Sequence, residues 1–303
     1  MIEPQSSSVS AVVVLYGPQP ADRLARLESI PTPKLCIVGN GAEACNWLSA
    51  TPMRAGWSAV LFPTNPGLAV AFNAALEACT TEWLLLLDQD SELIDPGFEA
   101  LVTTLNSAPS SVGIVTGVVI DEATNRSTNR RDGEIGTASA LLEVPRFQNS
   151  GTVVRVAAAR KIGGWWTALH LDLVDAEFGI RLHRSGWVQL HSQAAVLRHH
   201  LGEISEFRVG PLRGHATHHS VDRRRELGRA FGLTIRRHGF VHRDVRVTAR
   251  HVLGNLTGMV VGERLRARKL CAFTSAFAHA LLTRRLLPDN EITAPQRTVP
   301  PGD

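Results

Sequence analysis

The chain has 303 residues, 44% hydrophobic and 20% charged, and this length and apolar content exclude a disordered chain without a packed core. It contains no apolar run of about 18 residues, so the sequence predicts no membrane-spanning helix. The net charge of +4 conceals a basic segment, because residues 198–287 carry 18 lysines and arginines against 6 acidic residues.

Short apolar runs alternate with helical stretches in the first half of the chain. Runs rich in β-branched or leucine residues predict strands at 10–16, 34–39, 58–63, 82–88 and 112–120. Residues 67–79 have helical periodicity, and Pro96 begins a further helix. Because the strands are continuously apolar and alternate with helices, we expect a parallel sheet covered on both faces.

The second half of the chain has weaker signals. Residues 124–139 are polar and contain glycine, which predicts a loop. Helical spacing returns in two sets of apolar residues: Leu253, Leu256 and Val260, then Leu270, Phe273, Phe277 and Leu281. The last 16 residues are rich in proline, which predicts a disordered tail. The domains expected are an α/β domain over 1–202, a basic helical region over 203–287 and the tail over 288–303.

The fourth predicted strand ends in two aspartates, within the segment LLLLDQDS at residues 84–91. Ligands of open α/β sheets bind beyond the carboxyl ends of the strands, and alternate residues of an extended chain share one face. Asp88 and Asp90 are therefore suited to bind Mg2+ or Mn2+ together with substrate phosphates. The alternative is a polar turn in which Asp90 caps the next helix.

Five motifs follow one another in a particular order. They are NPGLAVAFNAAL (65–76), LLLLDQDS (84–91), FQNSGTVV (147–154), IGGWWTALHLDLVDAEFGIRLHRSGW (162–187) and LRHHLG (197–202). Together they resemble family 2 glycosyltransferases, and most closely the bacterial rhamnosyltransferase-like branch, over about two thirds of the chain. The resemblance implies a GT-A fold, with a mostly parallel sheet flanked by helices and, here, a C-terminal helical extension.

The same resemblance implies an activity and a set of site residues. The reaction would be the inverting transfer of a sugar from a nucleotide diphosphate donor to a hydroxyl of a glycan or lipid-linked acceptor, in surface polysaccharide synthesis. Asp175 falls at the position of the catalytic base, with Asp172 and Glu177 as flanking acids. Asp88, Asp90 and His199 would hold the metal. The donor side of the cleft would be lined by Tyr16, Asn40, Asn65, Gly67, Asn73, Asp88, Trp165 and Arg213.

The chain departs from the family pattern at two places. Gly39 stands where the family has an aspartate that contacts the nucleotide base, so base recognition would fall to Asn40 or to the turn at Tyr16. The segment PLRGHATHHS (211–220) keeps Arg213 but not the tyrosines of the rhamnosyltransferase-like branch, which leaves the sugar open.

Several alternatives stay open at this point. Trp165 and Trp166 either stack on a sugar or pack in the core, and the acids at 172–177 either act in catalysis or stabilise a helix N-terminus. The alternative function is that of a non-catalytic relative that binds a nucleotide sugar or a glycan.

The basic segment predicts an anionic partner, and we expect a nucleotide sugar or a membrane surface rather than nucleic acid. The uncharged stretch 270–283 is flanked by RLRARK at 264–269. This stretch either packs in the core or against the second subunit of a homodimer, or it helps to attach the chain to the inner face of the cytoplasmic membrane through residues 236–285. The start of the chain lacks the features of a secretory signal and the four cysteines have no C-x-x-C spacing, so we expect a cytoplasmic protein with reduced thiols.

Overall fold

The computed structural model describes residues 8–121, 126–127, 140–142, 148–199, 205–209, 212–216, 218–239, 242–261, 263–283 and 297–299. Apart from residues 126–127, the loop predicted over 124–139 lies outside this description, as do residues 200–202 of the predicted LRHHLG motif. The chain divides into two compact units. The first comprises Met1–Thr167, Val174–His200 and Asp289–Asp303, and the second comprises Ala168–Leu173 and Leu201–Pro288.

Strands and helices alternate along most of the chain. The described strands are β1 (Val9–Leu15), β2 (Lys34–Asn40), β3 (Trp57–Phe62), β4 (Trp83–Asp88), β5 (Ser91–Leu93), β6 (Val112–Asp121), β7 (Arg126–Ser127), β8 (Ala140–Leu142), β9 (Thr152–Arg155), β10 (Val188–His199), β11 (Ser205–Val209), β12 (Leu212–Ala216) and β13 (Arg297–Val299). The described helices are α1 (Arg23–Glu28), α2 (Ala42–Ala50), α3 (Leu68–Ala78), α4 (Asp95–Asn106), α5 (Val156–Lys161), α6 (Val174–Arg184), α7 (Val221–His238), α8 (His242–Val261) and α9 (Arg266–Leu282).

The first unit is built on one mixed sheet with the order β13-β3-β2-β1-β4-β9-β6-β10-β5, to which β7 and β8 add at β6 and β10. Its longest pairings are parallel: β3 with β2, β2 with β1, β1 with β4, and β6 with β10. Strand β9 lies antiparallel between β4 and β6. The five predicted strands all occur, and the α/β class with a mostly parallel sheet and flanking helices is confirmed.

Six of the described strands of this sheet were not predicted from the sequence, among them β10 and β13. Strand β10 is long, at 12 residues, and lies between β6 and the edge strand β5, but its residues mix polar and apolar side chains without the continuous apolar run of β1 or β4. Strand β13 pairs antiparallel with β3 and lies within the tail that the proline content predicted to be disordered. Neither segment has a sequence pattern that is typical of a strand. Each strand is held in place by pairing with strands that are distant in sequence.

The core explains why β1 and β4 are so apolar. All residues of β4 before Asp88 are buried, and in β1 only Val14 is partly exposed. Helix α3 is buried on most sides as well, since eight of its eleven residues are inaccessible to solvent, including Asn73. A helix that is apolar nearly all round is an interior helix.

The second unit is mainly helical, with the hairpin β11-β12. Helices α7 and α9 approach very closely, because a Cβ atom on Gly228 would lie 2.2 Å from the carbonyl oxygen of Phe273, and one on Gly232 would lie 2.6 Å from that of Phe277. Among the described residues, the core of this unit includes Leu227, Phe231, Met259 and Phe273. Among the described residues, no helix combines the length and the apolar content needed to cross a bilayer.

An ion cluster is buried in this second unit. Glu263 is fully buried between Arg224 and Lys269, whose Nζ atom lies 2.8 Å from the Glu263 carboxylate. Arg224 also donates to Asn255 Oδ1 at 2.8 Å. Lys269 is one of the cations that flank the stretch 270–283 in the sequence. Its side chain is only 7% exposed and neutralises Glu263, so it is not available to an anionic surface.

Candidate functional site

The two aspartates of the DQDS segment lie at the carboxyl end of β4. Asp88 is the last residue of the strand and is half-buried, whereas Asp90 is exposed in the turn that connects β4 to β5. The expectation that both residues share one face of an extended chain is therefore wrong, because residues 89–90 form a turn. The geometry of this turn positions the two carboxylates.

Gln89, between the two aspartates, anchors the turn to the neighbouring strand β1. Its Oε1 atom accepts a hydrogen bond of 2.8 Å from the backbone N–H of Tyr16, the residue that follows β1. Its carbonyl oxygen accepts a hydrogen bond from Arg23, which also donates to Gln19 Oε1 at 2.8 Å. Arg23 is only 5% exposed; burial lowers the pKa of its guanidinium, and the nearby Asp90 carboxylate acts to raise it. The backbone between the aspartates is thus fixed by a buried cation.

Ser150 holds the same turn from the other side. Its hydroxyl accepts a hydrogen bond of 3.1 Å from the backbone N–H of Asp88 and lies 2.6 Å from Ser91 Oγ. The next residue, Gly151, donates its N–H to Leu86 O at 2.9 Å. Sequence reasoning singled out the SG segment but did not assign Ser150, Gln89 or Arg23. The missed signal is a Ser-Gly pair that directly precedes a buried strand.

His199, predicted as a metal ligand, is the last residue of β10. In the antiparallel pairing of β5 with β10 it stands opposite Ser91, which adjoins Asp90, and in the pairing of β6 with β10 it stands opposite Asp121. Its backbone therefore reaches the same edge of the sheet as the DQDS turn. Its side chain lies outside the described residues.

The donor set fits Mg2+ or Mn2+. Asp88 and Asp90 supply hard carboxylate oxygens, and Mg2+ is commonly bound by one or two carboxylates plus substrate phosphates. Within the part of the chain that the structure describes, no three His, Cys, Asp or Glu side chains gather into a metal site of their own. Asp88 and Asp90 would supply part of the ligand shell of a cation at this turn, which substrate phosphates are able to complete.

The end of β2 carries a second group of predicted residues. Asn40 is 5% exposed, and its Oδ1 atom has no hydrogen-bond partner among the described residues. Tyr16 is 58% exposed, and its ring would lie 3.6 Å from a Cβ atom on Gly41. A Cβ atom on Gly39 would lie 3.2 Å from both Cα and Sγ of Cys45 in α2. The packing of α2 therefore leaves little room for a side chain at position 39.

The NPG segment forms the turn that leads into α3. Asn65 is exposed, and its Oδ1 atom accepts a hydrogen bond of 3.0 Å from the N–H of Gly67. Gly67 has φ 101°, a left-handed conformation that favours glycine, and it precedes the first residue of α3. These two residues shape the loop between β3 and α3 at the carboxyl edge of the sheet.

Asn73 and Trp165 form an interior contact and do not line an open cleft. The Asn73 side chain donates to Trp165 O at 2.8 Å and accepts from Trp165 N at 2.7 Å. The Trp165 ring is fully buried, stacked on Phe178 at a centroid distance of 4.3 Å and tilted against Phe72. The predicted donor contacts of Asn73 and Trp165 are therefore corrected: both residues hold α3 against the GGWW segment.

The predicted catalytic acids have different surroundings. Asp175 is half-buried in the first turn of α6, and its Oδ1 atom accepts a hydrogen bond of 2.8 Å from Ala176 N. Glu177 is fully buried and accepts three hydrogen bonds of 2.7–2.9 Å from Arg181, which also donates to Ile162 O. Its carboxylate is already neutralised, so we reassign Glu177 from catalysis to the support of α6.

Asp172 belongs to the second unit, where Arg223 donates to its Oδ1 atom at 2.9 Å. The Oδ2 atom is buried and has no hydrogen-bond partner among the described residues. Burial raises the pKa of Asp172, although Arg223 acts in the opposite direction. Arg213, predicted to bind the donor, stands opposite Arg208 in the β11-β12 hairpin, and its side chain lies outside the described residues.

Comparison with known proteins places this site in context. Residues 53–163, which include the NPG, DQDS and SG segments, match the family model for Glycosyl transferase family 2. No curated protein sequence matches the chain. The match confirms the resemblance to family 2 over those residues, while the rhamnosyltransferase-like branch stays a prediction.

Among the solved structures that are similar to the chain are three with a bound nucleotide or nucleotide sugar. Residues 1–349 of S. aureus TarS in complex with UDP-GlcNAc align with a TM-score of 0.59 at 11% identity, over 90% of this chain and 81% of that one. The mannosyltransferase PcManGT from Pyrobaculum calidifontis with GDP-Man and Mn2+ gives 0.52 at 14% identity, over 92% and 76%. GalNAc-T7 with UDP, GalNAc and Mn2+ gives 0.52 at 10%, over 75% and 48%. At these identities the likeness shows the fold, which is the expected GT-A type.

Proposed function

We propose that the chain is a metal-dependent glycosyltransferase that moves a sugar from a nucleotide diphosphate sugar to a hydroxyl of a glycan or lipid-linked acceptor. The observation that carries the proposal is the DQDS turn, which presents Asp88 and Asp90 at the carboxyl edge of the sheet and is held by Gln89 and Ser150. The family match covers this turn, and the similar structures contain GDP-Man or UDP together with Mn2+.

The donor would bind along the edge formed by β1, β2 and β4. Asp88, Asp90 and His199 would hold Mg2+ or Mn2+, which when bound neutralises negative charge on the departing diphosphate. Asn40 is suited to read the nucleotide base, because an amide can both donate and accept hydrogen bonds and its buried Oδ1 atom lacks a partner among the described residues. The exposed ring of Tyr16 beside Gly41 offers a surface on which a base can stack.

Asp175 would act as the general base. Its carboxylate takes the proton of the acceptor hydroxyl while that oxygen forms a bond to the anomeric carbon and the bond from that carbon to the diphosphate oxygen breaks. A single displacement of this kind inverts the configuration of the sugar and needs no protein nucleophile. The buried pair of Glu177 and Arg181 would keep the first turn of α6 in place during the step.

The first experiment tests the metal site. We expect Asp90→Ala to abolish the Mn2+-dependent part of donor binding, measured by calorimetry with a panel of UDP, GDP and dTDP sugars, because Asp90 would be one of the carboxylates that hold the ion. Glu92→Ala is the matched control, since it removes the same charge from an exposed residue two positions away. Equal metal dependence in Asp90→Ala and the wild type would contradict the assignment.

The second measurement separates the transferase from a binding relative. Asp175→Asn should keep the donor affinity and lower the release of nucleoside diphosphate by roughly 10²–10⁴-fold, because the amide cannot accept the proton. A wild-type protein that binds a nucleotide sugar but turns over none, with any divalent cation, would favour the non-catalytic alternative.

A further inference from the structure

A groove of about 510 Å3 lies within the second unit, between α7 and α9. It is lined on the α7 side by arginines at 225, 229 and 236 together with Glu226 and Leu233, and on the α9 side by small residues and His279. With histidine neutral, the lining carries three guanidinium groups and the Glu226 carboxylate, which lies 4.0 Å from Arg229, and Asp222 pairs with Arg225 at its rim. The charge that remains is positive. The groove contains no residue proposed above to bind the donor or the metal.

The sequence explains why the groove exists. Residues 225, 229, 233 and 236 recur at helical spacing, so they form one stripe along α7. Opposite this stripe α9 presents Ser275, Ala276, Ala280 and Thr283, whose small side chains leave the space open. Leu233 and Ala280 are buried and form an apolar floor beneath the arginines.

The arginines are held in place at the rim. Arg229 donates to Ala168 O at 2.8 Å, and Arg236 donates to Thr283 O. Arg225 pairs with Asp222 and is 52% exposed. Each guanidinium carries five N–H groups, so these contacts orient the side chains and leave other donors available to an oxyanion.

We propose that this groove binds an anionic membrane lipid, with the phosphate of the headgroup between the rim arginines and the adjoining hydrocarbon on the floor of Leu233, Ala276 and Ala280. The planar guanidinium group matches phosphate oxygens in geometry and charge. The apolar floor suits a hydrocarbon chain, whereas it has no hydrogen-bond donor for a free oxyanion. Leu282, directly beside the lining residue Thr283, is 76% exposed, as expected for a side chain that enters a lipid surface.

The proposal does not depend on the transfer reaction, because lipid binding is measured without a donor sugar. The full chain is mixed with vesicles of phosphatidylcholine, with or without phosphatidylglycerol, and the bound fraction is measured by flotation. Arg225→Gln removes a rim cation, and Ala276→Glu places a carboxylate on the floor. Arg268→Gln and Ala278→Glu are the matched controls, because both residues are exposed on α9 outside the groove. Thermal melts verify that all four variants fold.

We expect wild-type protein to float only with the anionic vesicles. Arg225→Gln should weaken binding about fivefold, the usual effect of one cation at an anionic leaflet, and Ala276→Glu should weaken it at least as much. The two controls should bind as the wild type does. Equal losses in all four variants would show diffuse electrostatic attraction and contradict a binding site in the groove. Wild-type protein that binds neither kind of vesicle would contradict the proposal as well. Inorganic phosphate that competes fully with the vesicles would instead identify a site for a soluble oxyanion and also overturn the lipid assignment.

Discussion

Glu177→Gln separates a structural role of this carboxylate from a catalytic one. The side chain is fully buried and Arg181 is 12% exposed, so the substitution leaves a buried guanidinium in contact with Ile162 O and the Phe178 ring but without a carboxylate to neutralise it. Removal of one partner from a buried ion pair costs about 3–5 kcal/mol of unfolding free energy. For a unit of about 200 residues, each kcal/mol lowers the melting temperature by roughly 2–4 °C, so we expect a decrease of about 6–20 °C.

The assay is differential scanning calorimetry combined with donor turnover. Asp175→Asn is the comparison, because Asp175 is half-buried in the same turn and its substitution should change stability by no more than about 0.5 kcal/mol. The double variant Glu177→Met/Arg181→Met should recover much of the stability, since no unpaired charge remains in the interior. If Glu177→Gln melts with the wild type but loses turnover, the structural assignment is wrong and Glu177 takes part in the chemistry.

Two further predictions concern the half-buried His219 and the anchor of the DQDS turn. Burial and the neighbouring Arg224 and Arg223 lower the pKa of His219 to about 4, from 6.5, so the unfolded chain takes up a proton more readily than the folded one. The stability of the chain should therefore fall as the pH decreases from 6.5 to about 4. Urea unfolding at a series of pH values measures this dependence, and His219→Gln should make it flatter over that range. An unchanged slope in the variant would contradict the assignment. Arg23→Gln should weaken Mn2+-dependent donor binding by about 10–100-fold, because it releases the carbonyl of Gln89. The control is Arg26→Gln, a substitution of an exposed neighbour, which should bind the donor as the wild type does when both are measured by calorimetry.

Local pattern determined much of the first unit. The apolar runs that became β1 to β4 and β6 have no stable place except inside a sheet, and the helical period of residues 67–79 matches α3. The position of Asp88 and Asp90 at the end of a buried strand also follows from the sequence, because hydrophobic residues stop abruptly there. These features depend on neighbours within a few positions along the chain.

Only the tertiary structure decided which motif residues face a cleft and which lie inside. Asn73, Trp165 and Glu177 have the residue types expected of a donor or catalytic site, yet each is buried by a partner: Asn73 and Trp165 hold each other across 92 positions, and Glu177 is neutralised by Arg181. Lys269 likewise reads as a surface cation until Glu263 is seen beside it. A polar side chain is placed by the hydrogen bonds it gains when it is desolvated, and those partners are chosen by the folded chain and not by the local pattern.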